Sequence, residues 1–491
     1  MGGRLTGARW AVAVGVLVCI PLVSWSIWWI ALGWLPQGDE GIIAMKVHDV
    51  FSANPPLLGM RSTSDISAPG VWAHHPGPME FYLLAIPYAV SGWHPAGLLI
   101  GCLLLAILVV ALTIWQAWTA AGTRGVWLAG VSILGAEVIV GPPIVLPWNP
   151  WPPVLATAAL MVLSWRVLRG RLSALPWLAV IASYVLQSNL ALIPMVAPLL
   201  LLLSGVGLVR WREERGALWP LPGTGGPARH TVWWKRPGVR ATALTLLCWA
   251  PPILEIGLIS PNNPSQVGKL VVHSLASPVA MVGAVVLLAA IGCASWKLGQ
   301  RRSIPNVVAV RWISGALWVG VVAAFIAGGA GRSVYLLLAV GGLCFAIAAW
   351  VYPRLPERAM PPAVTCATGA AVIVLALLLP YAERQSVPYV RTETDTANAK
   401  SAVSQSLAAL RSHGVRGAAV VVRADGFYSV VSYQTAVAAA LYAEGYRPYY
   451  DSAWPNREDD SFRRVKHAPR SAVTLTLTDG DPVTVGFHPS G

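Results

Sequence analysis

The sequence predicts an all-α polytopic membrane domain of about eleven transmembrane helices, followed by a small C-terminal α/β domain. Of its 491 residues, 56% are hydrophobic and 11% are charged, whereas soluble proteins carry about 25% charged residues. Apolar runs long enough to cross a bilayer, about 20 residues each, recur from residue 10 to residue 381. This composition excludes an ordinary soluble enzyme, and it excludes a disordered chain because disorder requires low hydrophobicity.

The first apolar run, residues 10–33, follows Arg4 and Arg9 in the manner of a signal peptide. It is longer than a signal-peptide core and lacks an AxA-like cleavage site, which predicts an uncleaved first helix. The further spans are predicted at residues 96–118, 126–142, 153–168, 174–188, 190–209, 241–260, 277–296, 312–329, 333–351 and 363–381.

The distribution of Lys and Arg predicts the orientation of these spans. Alternate loops hold nineteen basic and three acidic residues, and cytoplasmic loops of membrane proteins are enriched in basic residues. The pattern predicts a multi-pass plasma-membrane protein with a cytoplasmic N-terminus. It also accounts for the net charge of +14 without nucleic acid as a partner. If residues 79–92, which are apolar but short, crossed the membrane, the basic loops downstream would fall on the outer side. We therefore expect an interfacial or half-membrane helix there, packed against the outer leaflet.

The composition changes after Leu379. Residues 383–491 hold eleven of the 21 acidic and twelve of the 35 basic residues. Helices are predicted near residues 397–412 and 432–444, and strands at 417–423, at 446–451 and on both sides of the DGDP turn. We therefore expect residues 1–382 to form the transmembrane domain, with outer loop 34–95, and residues 383–491 to form a soluble extracytoplasmic α/β domain.

The outer loop is the most polar segment before this tail. It opens with "QGDEG", which contains Asp39 and Glu40, and apolar residues then follow at helical spacing. We expect an amphipathic helix at the outer membrane surface, with Lys46, His48 and Asp49 turned toward polar surroundings. A carboxylate here can act as a general base toward a hydroxyl, and nearby cations can stabilise a departing phosphate. On composition alone, two solvated loop carboxylates are the favoured interpretation.

Two segments of this loop, "GDEGIIAMKVHDVFSANPPLLGMRS" and "HHPGPMEFYLL", resemble the GT-C superfamily of membrane glycosyltransferases. This superfamily includes protein O-mannosyltransferases, aminoarabinose transferases and actinobacterial arabinofuranosyl- and mannosyltransferases, and the similarity is strongest to a group of actinobacterial proteins of this class. It covers residues 36–95 most clearly and extends more weakly to "PWNP" at 147–150 and "LQSNLALIP" at 186–194. The chain has HPGP where some relatives have HPP or KPP.

The resemblance implies a GT-C-like fold and a transferase that uses a polyprenyl-phosphate sugar as donor. Asp39 takes the position of the catalytic base, and Glu40 that of a second acid that orients the acceptor or a divalent cation. The implied acceptor is a hydroxyl of an envelope glycan or lipoglycan, in cell wall biosynthesis of an actinobacterium, and the reaction inverts the anomeric carbon. The need for a metal cofactor stays open, although a carboxylate pair suits Mg²⁺ or Mn²⁺.

Six further residues are candidates for binding the substrate: Arg61, His74, His75, Asn149, Lys269 and Arg332. The basic residues among them suit a lipid phosphate. Arg332 is the strongest candidate, because a cation in a short turn next to the hydrocarbon layer is costly unless it is paired. Each also has a plainer interpretation, as a helix cap, a headgroup contact or a helix break.

Two alternative functions compete with the transferase. Glu137 and Glu255 fall within predicted spans, and intramembrane carboxylates indicate a proton-coupled transporter or flippase. Alternatively, the protein is a non-catalytic envelope assembly partner whose tail recruits another enzyme.

Overall fold

The computed structural model describes residues 2–62, 64–216, 236–275, 278–327, 336–357, 393–451 and 461–489. These residues are mostly helical, and a small sheet lies at the C-terminal end. Among them, five helices are long and apolar enough to cross a membrane, or six if one bent pair counts as a single span. The predicted count of eleven is therefore not confirmed. The predicted span 363–381 and Arg332 lie outside the described residues.

The helices that precede the C-terminal domain have the following bounds: α1 Gly2–Ala31, α2 Asp39–Asp49, α3 Ser64–Ser67, α4 Met79–Val90, α5 Pro95–Val140, α6 Pro152–Leu168, α7 Leu175–Ser188, α8 Leu192–Gly216, α9 Pro237–Cys248, α10 Ala250–Leu258, α11 Asn263–Ser274, α12 Pro278–Gly299, α13 Asn306–Ala327 and α14 Val340–Val351. The bent pair is α9 and α10, which meet at 49°.

Helix α5 consists of two arms. At 1.5 Å per residue, 46 helical residues would extend about 69 Å, more than twice the hydrocarbon thickness. The backbone leaves helical geometry at Ala121 and at Gly122, whose φ of 56° favours glycine. Gly125 then lies against the carbonyl oxygen of Ala117, although eight residues of unbroken helix would separate them by about 12 Å. The chain therefore reverses here, and the two arms coincide with the apolar runs 96–118 and 126–142.

Helix α6 forms the centre of the helical bundle. Its residues from Pro153 to Trp165 are all buried, and it packs against α5, α7, α13 and α14. A helix that is apolar on every side is stable only when other helices surround it. The indole of Trp165 donates a hydrogen bond to Asn306 Oδ1 over 3.2 Å, which ties α6 to the start of α13.

Helices at the periphery expose apolar side chains instead. On α12, Val282, Val285, Val286 and Leu288 are each more than half exposed. Soluble proteins rarely expose extended apolar patches, so this surface suits lipid. Helix α4 has twelve residues and extends about 18 Å, which is too short to cross a bilayer core.

The C-terminal domain contains α15 Glu393–Ser412, β1 Ala419–Asp425, α16 Gln434–Ala443, β2 Arg447–Tyr449, β3 Val473–Thr478 and β4 Thr484–His488. Its sheet has the order β2-β1-β3-β4, in which β1 runs parallel to β2 and β3, and β4 is antiparallel to β3. The predicted helices and strands of this domain are confirmed with shifts of a few residues. The predicted boundary between residues 382 and 383 lies outside the described residues.

Candidate functional site

The outer loop places Asp39 at the start of a helix. Gly38 has a φ of 56°, a conformation that favours glycine, and α2 begins at the next residue. Asp39 and Glu40 thus form the first turn, where the helix dipole interacts favourably with negative charge. The helix predicted after "QGDEG" is present.

The surroundings of α2 differ from the prediction. We expected its polar residues to face polar surroundings at the membrane surface, but Lys46 and Asp49 are buried, as is nearly all of α2. Helix α4 packs on one side of α2, and α16 of the C-terminal domain packs on another. The polar side of α2 therefore faces groups of the protein rather than solvent, and the partner that covers it lies almost 400 residues away in the sequence.

Asp39 is half-buried and contacts the "PWNP" segment. The indole Nε1–H of Trp148 donates to Asp39 Oδ2 over 3.1 Å. The ring of Trp148 packs edge-on against Trp151, with centroids 5.5 Å apart. This contact orients one carboxylate oxygen of Asp39, and it connects the outer loop to a segment 109 positions further along the chain.

The "LQSN" segment joins the same group of loops. The buried Asn149 donates from Nδ2 to the carbonyl of Ser188 over 3.4 Å. Gln187 accepts from the Met79 N–H over 3.2 Å and donates to the Cys248 carbonyl over 2.8 Å. Gly77, the glycine of HPGP, lies against the amide of Gln187, so any side chain at that position would collide with it.

His75 is buried, and its side chain is held by the same segment. The backbone N–H of Leu190 donates to His75 Nδ1 over 3.1 Å. Because Nδ1 accepts this bond, a neutral His75 carries its proton on Nε2. The backbone of His75 pairs with Gly59 and Met60, which keeps the loop closed.

His74 faces a different element. Its N–H donates to Asn263 Oδ1 over 2.8 Å, and its carbonyl accepts from Asn263 Nδ2 over 3.2 Å. Arg61 pairs with His74 in an isolated antiparallel bridge. The two histidines therefore join the outer loop to two separate parts of the bundle, and these contacts hold the "HHPGP" run in place.

The carboxylates of the rival hypothesis have different environments. Glu255 Oε1 accepts from the Asn263 backbone N–H over 2.8 Å, at the N-terminus of α11, where the helix dipole interacts favourably with a negative charge. Glu137 is buried, and neither of its carboxylate oxygens has a hydrogen-bond partner among the described residues.

The structure thus joins Asp39, Asn149 and His75 through Trp148 and the backbone from Ser188 to Leu190. Glu40 is buried one position further along α2. Lys269 lies on the exposed side of α11, six residues after Asn263, and Arg332 is outside the described residues. Within the part of the chain that the structure describes, no group of three His, Cys, Asp or Glu side chains could hold a metal ion.

A small, mostly apolar cavity lies next to these loops. Its lining includes Glu80, Leu84, Cys102 and Leu146, the last of which precedes Trp148 by two residues. Glu80 is buried, and its Oε1 has no hydrogen-bond partner among the described residues. Of the predicted substrate-binding residues that the structure describes, none lines this cavity.

One buried cluster of polar side chains was not predicted from the sequence. Asp49, at the end of α2, accepts hydrogen bonds from Arg463 and from the Tyr442 hydroxyl. Burial, with the nearby Asp49, raises the pKa of Tyr442 to about 12. Because Asp49 and Arg463 are separated by 414 positions, no spacing motif marks the pair.

The chain matches none of the protein-family models, curated proteins or solved structures with which it was compared.

Proposed function

We propose that this protein is a GT-C-type glycosyltransferase of the plasma membrane, with eleven spans and an extracytoplasmic C-terminal domain. It moves a sugar from a polyprenyl-phosphate donor to a hydroxyl of a cell-envelope acceptor on the outer face of the membrane. The observation that carries this proposal is the half-buried carboxylate of Asp39, oriented by Trp148 at the start of α2. The "PWNP" segment that supplies Trp148 is also hydrogen-bonded to the "LQSN" segment, which contacts His75.

The chemistry follows from this arrangement. Asp39 takes the proton of the acceptor hydroxyl as its oxygen attacks the anomeric carbon. The bond from that carbon to the phosphate oxygen breaks, and the lipid phosphate leaves with the electron pair on the opposite face, which inverts the anomeric configuration. The helix dipole and the indole N–H both interact favourably with the negative charge that a base requires.

Phosphate binding is assigned to the basic and polar groups of the loops. Arg61 supplies a planar fork that matches phosphate oxygens, and a neutral His75 supplies an Nε2–H donor. His74, Asn149, Lys269 and Arg332 complete the proposed set. Glu40 is proposed to orient the acceptor or a divalent cation.

Transfer of radiolabelled sugar tests the proposal directly. A panel of polyprenyl-phosphate sugars is offered to purified wild type and to Asp39→Asn, and we expect the variant to lose roughly 10²- to 10⁴-fold in rate. The matched control is Asp65→Asn, which removes a carboxylate from the same outer loop and should leave the rate unchanged. Equal rates for wild type and Asp39→Asn would refute the role of Asp39.

A proton-coupled transporter or flippase is the second candidate, and the environment of Glu137 favours it. A buried carboxyl group without a hydrogen-bond partner among the described residues is costly to maintain unless it has a function. Under this alternative, Glu137→Gln abolishes flux of the transported molecule across proteoliposomes, and Asp39→Asn leaves that flux intact. Under the transferase proposal, Asp39→Asn loses sugar transfer and Glu137→Gln retains it.

A further inference from the structure

The C-terminal domain holds the beginning of α2. The Gly38 N–H donates to the Ser432 carbonyl over 3.1 Å, and the Thr435 hydroxyl donates to the Gly38 carbonyl over 2.9 Å. A Cβ added at Gly41 would lie 2.7 Å from the Thr435 carbonyl oxygen. Glycine at position 41 is therefore what allows α16 to approach the first turn of α2.

The same domain holds the end of α2. Arg463 donates from Nη1 to Asp49 Oδ2 over 2.7 Å and from Nη2 to Asp49 Oδ1 over 2.6 Å. The Tyr442 hydroxyl donates to Asp49 Oδ1 over 2.8 Å, and the guanidinium carbon lies 4.5 Å from the centre of the Tyr442 ring. Only 5% of the Arg463 side chain and 4% of the Asp49 side chain are exposed.

The buried Asp49–Arg463 pair contrasts with an exposed ion pair within the C-terminal domain. Arg411 and Glu444 approach to 3.5 Å, but their side chains are 65% and 51% exposed. Exposed pairs contribute little because water and salt screen them, whereas loss of one partner of a buried pair leaves a charge in a poorly solvated place. The Asp49–Arg463 pair therefore resists separation of α2 from the C-terminal domain.

We infer that Arg463 is a positioning residue for Asp39, which it acts on through Asp49 and the helix that connects them. A helix of eleven residues behaves as a rod of about 16 Å, so anchoring both of its ends determines where Asp39 meets Trp148. The inference rests on the proposed function insofar as Asp39 is the base. It makes the extracytoplasmic domain part of the site rather than an appended module.

Hydrogen exchange and kinetics on the full-length protein test this inference together. In Arg463→Gln, we expect amides of residues 38–49 to exchange about tenfold faster, while amides of the central helix α6 keep their protection. In the transferase assay, kcat should fall roughly 10- to 100-fold, because a misplaced base costs rate, and KM for the donor should stay unchanged. Arg463→Lys keeps the charge but loses the bidentate geometry, so it should give intermediate values for both quantities.

The matched control is Arg411→Gln, which removes an exposed arginine of the same domain and should change neither exchange nor kcat. If Arg463→Gln does not accumulate as folded protein, Tyr442→Phe removes one bond to Asp49 and should accelerate exchange of residues 38–49 to a smaller extent. Unchanged exchange of α2 in these variants, or faster exchange with an unchanged kcat, would overturn the inference. If wild type transfers no sugar from any donor, the proposed function fails, and the exchange data alone then decide whether Arg463 holds α2.

Discussion

The two ends of α2 carry one aspartate each, and the protein surrounds them differently. Asp49 is buried and accepts hydrogen bonds from a guanidinium group and a phenol. Asp39 is half-buried, and the indole of Trp148 donates to one of its oxygens. A carboxylate whose oxygens are occupied by fixed donors serves structure, and one with accessible surface is suited to proton transfer. The comparison explains why we place chemistry at one end of the helix and anchorage at the other.

The largest expected difference is between the stabilities of the Asp49→Asn and Asp39→Asn variants. Asp49→Asn leaves the Arg463 guanidinium buried without its counter-charge, and we expect a loss of about 3–5 kcal/mol. Asp39→Asn should change stability by less than about 1 kcal/mol, since the side chain is partly exposed and has no buried counter-charge in the part of the chain that the structure describes. Thermal unfolding of the two variants in the same detergent measures the difference. If both are equally destabilised, the distinction between anchorage and chemistry is lost.

A smaller effect is expected where α16 approaches α2. In most helices Gly→Ala is stabilising, but Gly41→Ala would place a methyl group 2.7 Å from the Thr435 carbonyl oxygen. We expect a destabilisation of about 1–3 kcal/mol from overpacking. Gly15→Ala on α1 is the control, because nothing lies within 4 Å of its added Cβ. If Gly41→Ala unfolds no earlier than wild type, the close contact between the two helices is wrong.

Trp148→Phe sharpens the account of the Asp39 end. The variant keeps an aromatic ring to pack on Trp151 but removes the N–H that orients Asp39 Oδ2. Loss of one hydrogen bond should cost about 1 kcal/mol in transition-state stabilisation, equivalent to roughly a fivefold lower kcat. Sugar-transfer kinetics measure the change in kcat. Trp151→Phe is the comparison variant, because the ring of Trp151 packs on Trp148 and the structure describes no hydrogen bond from it to Asp39.

The smallest effect is a pH dependence at the Asp49 end. His48 lies between the rings of Trp93 and Tyr442, with centroids 3.9 and 4.0 Å away. Burial lowers the pKa of His48 from its usual 6.5, with the nearby Asp49 opposing this change and Arg463 adding to it. The unfolded chain therefore binds the proton more readily, so the contribution of His48 to stability is fully present above pH 6.5 and declines as the pH falls below 6.5.

Because His48 is only partly buried, solvent screening keeps this contribution small. The check is the decrease in Tm between pH 7.5 and pH 5.5, which should be larger for wild type than for His48→Gln. An identical decrease in both proteins would assign the acid sensitivity to other groups.

The helices and strands of the C-terminal domain followed from local periodicity and turn residues, and helix α2 followed from the apolar residues at helical spacing after "QGDEG". The sequence could not show that Lys46 and Asp49 would be covered, because an amphipathic pattern reports which side of a helix is polar and not what lies against it. The same limit applied to Glu255, whose contact with the backbone N–H of Asn263 at the start of α11 no local pattern indicates.

By itself, the sequence determined the apolar character of the helical domain, the change to a polar α/β domain near its end, and the amphipathic pattern of α2. These depend on composition and on contacts between near neighbours along the chain. Only the tertiary structure decided that Trp148 would contact Asp39, that His75 would accept from Leu190, and that Arg463 would neutralise Asp49. Each of these pairs is separated by more than 100 positions, so its partners are chosen by the packing of whole elements, which no local pattern encodes.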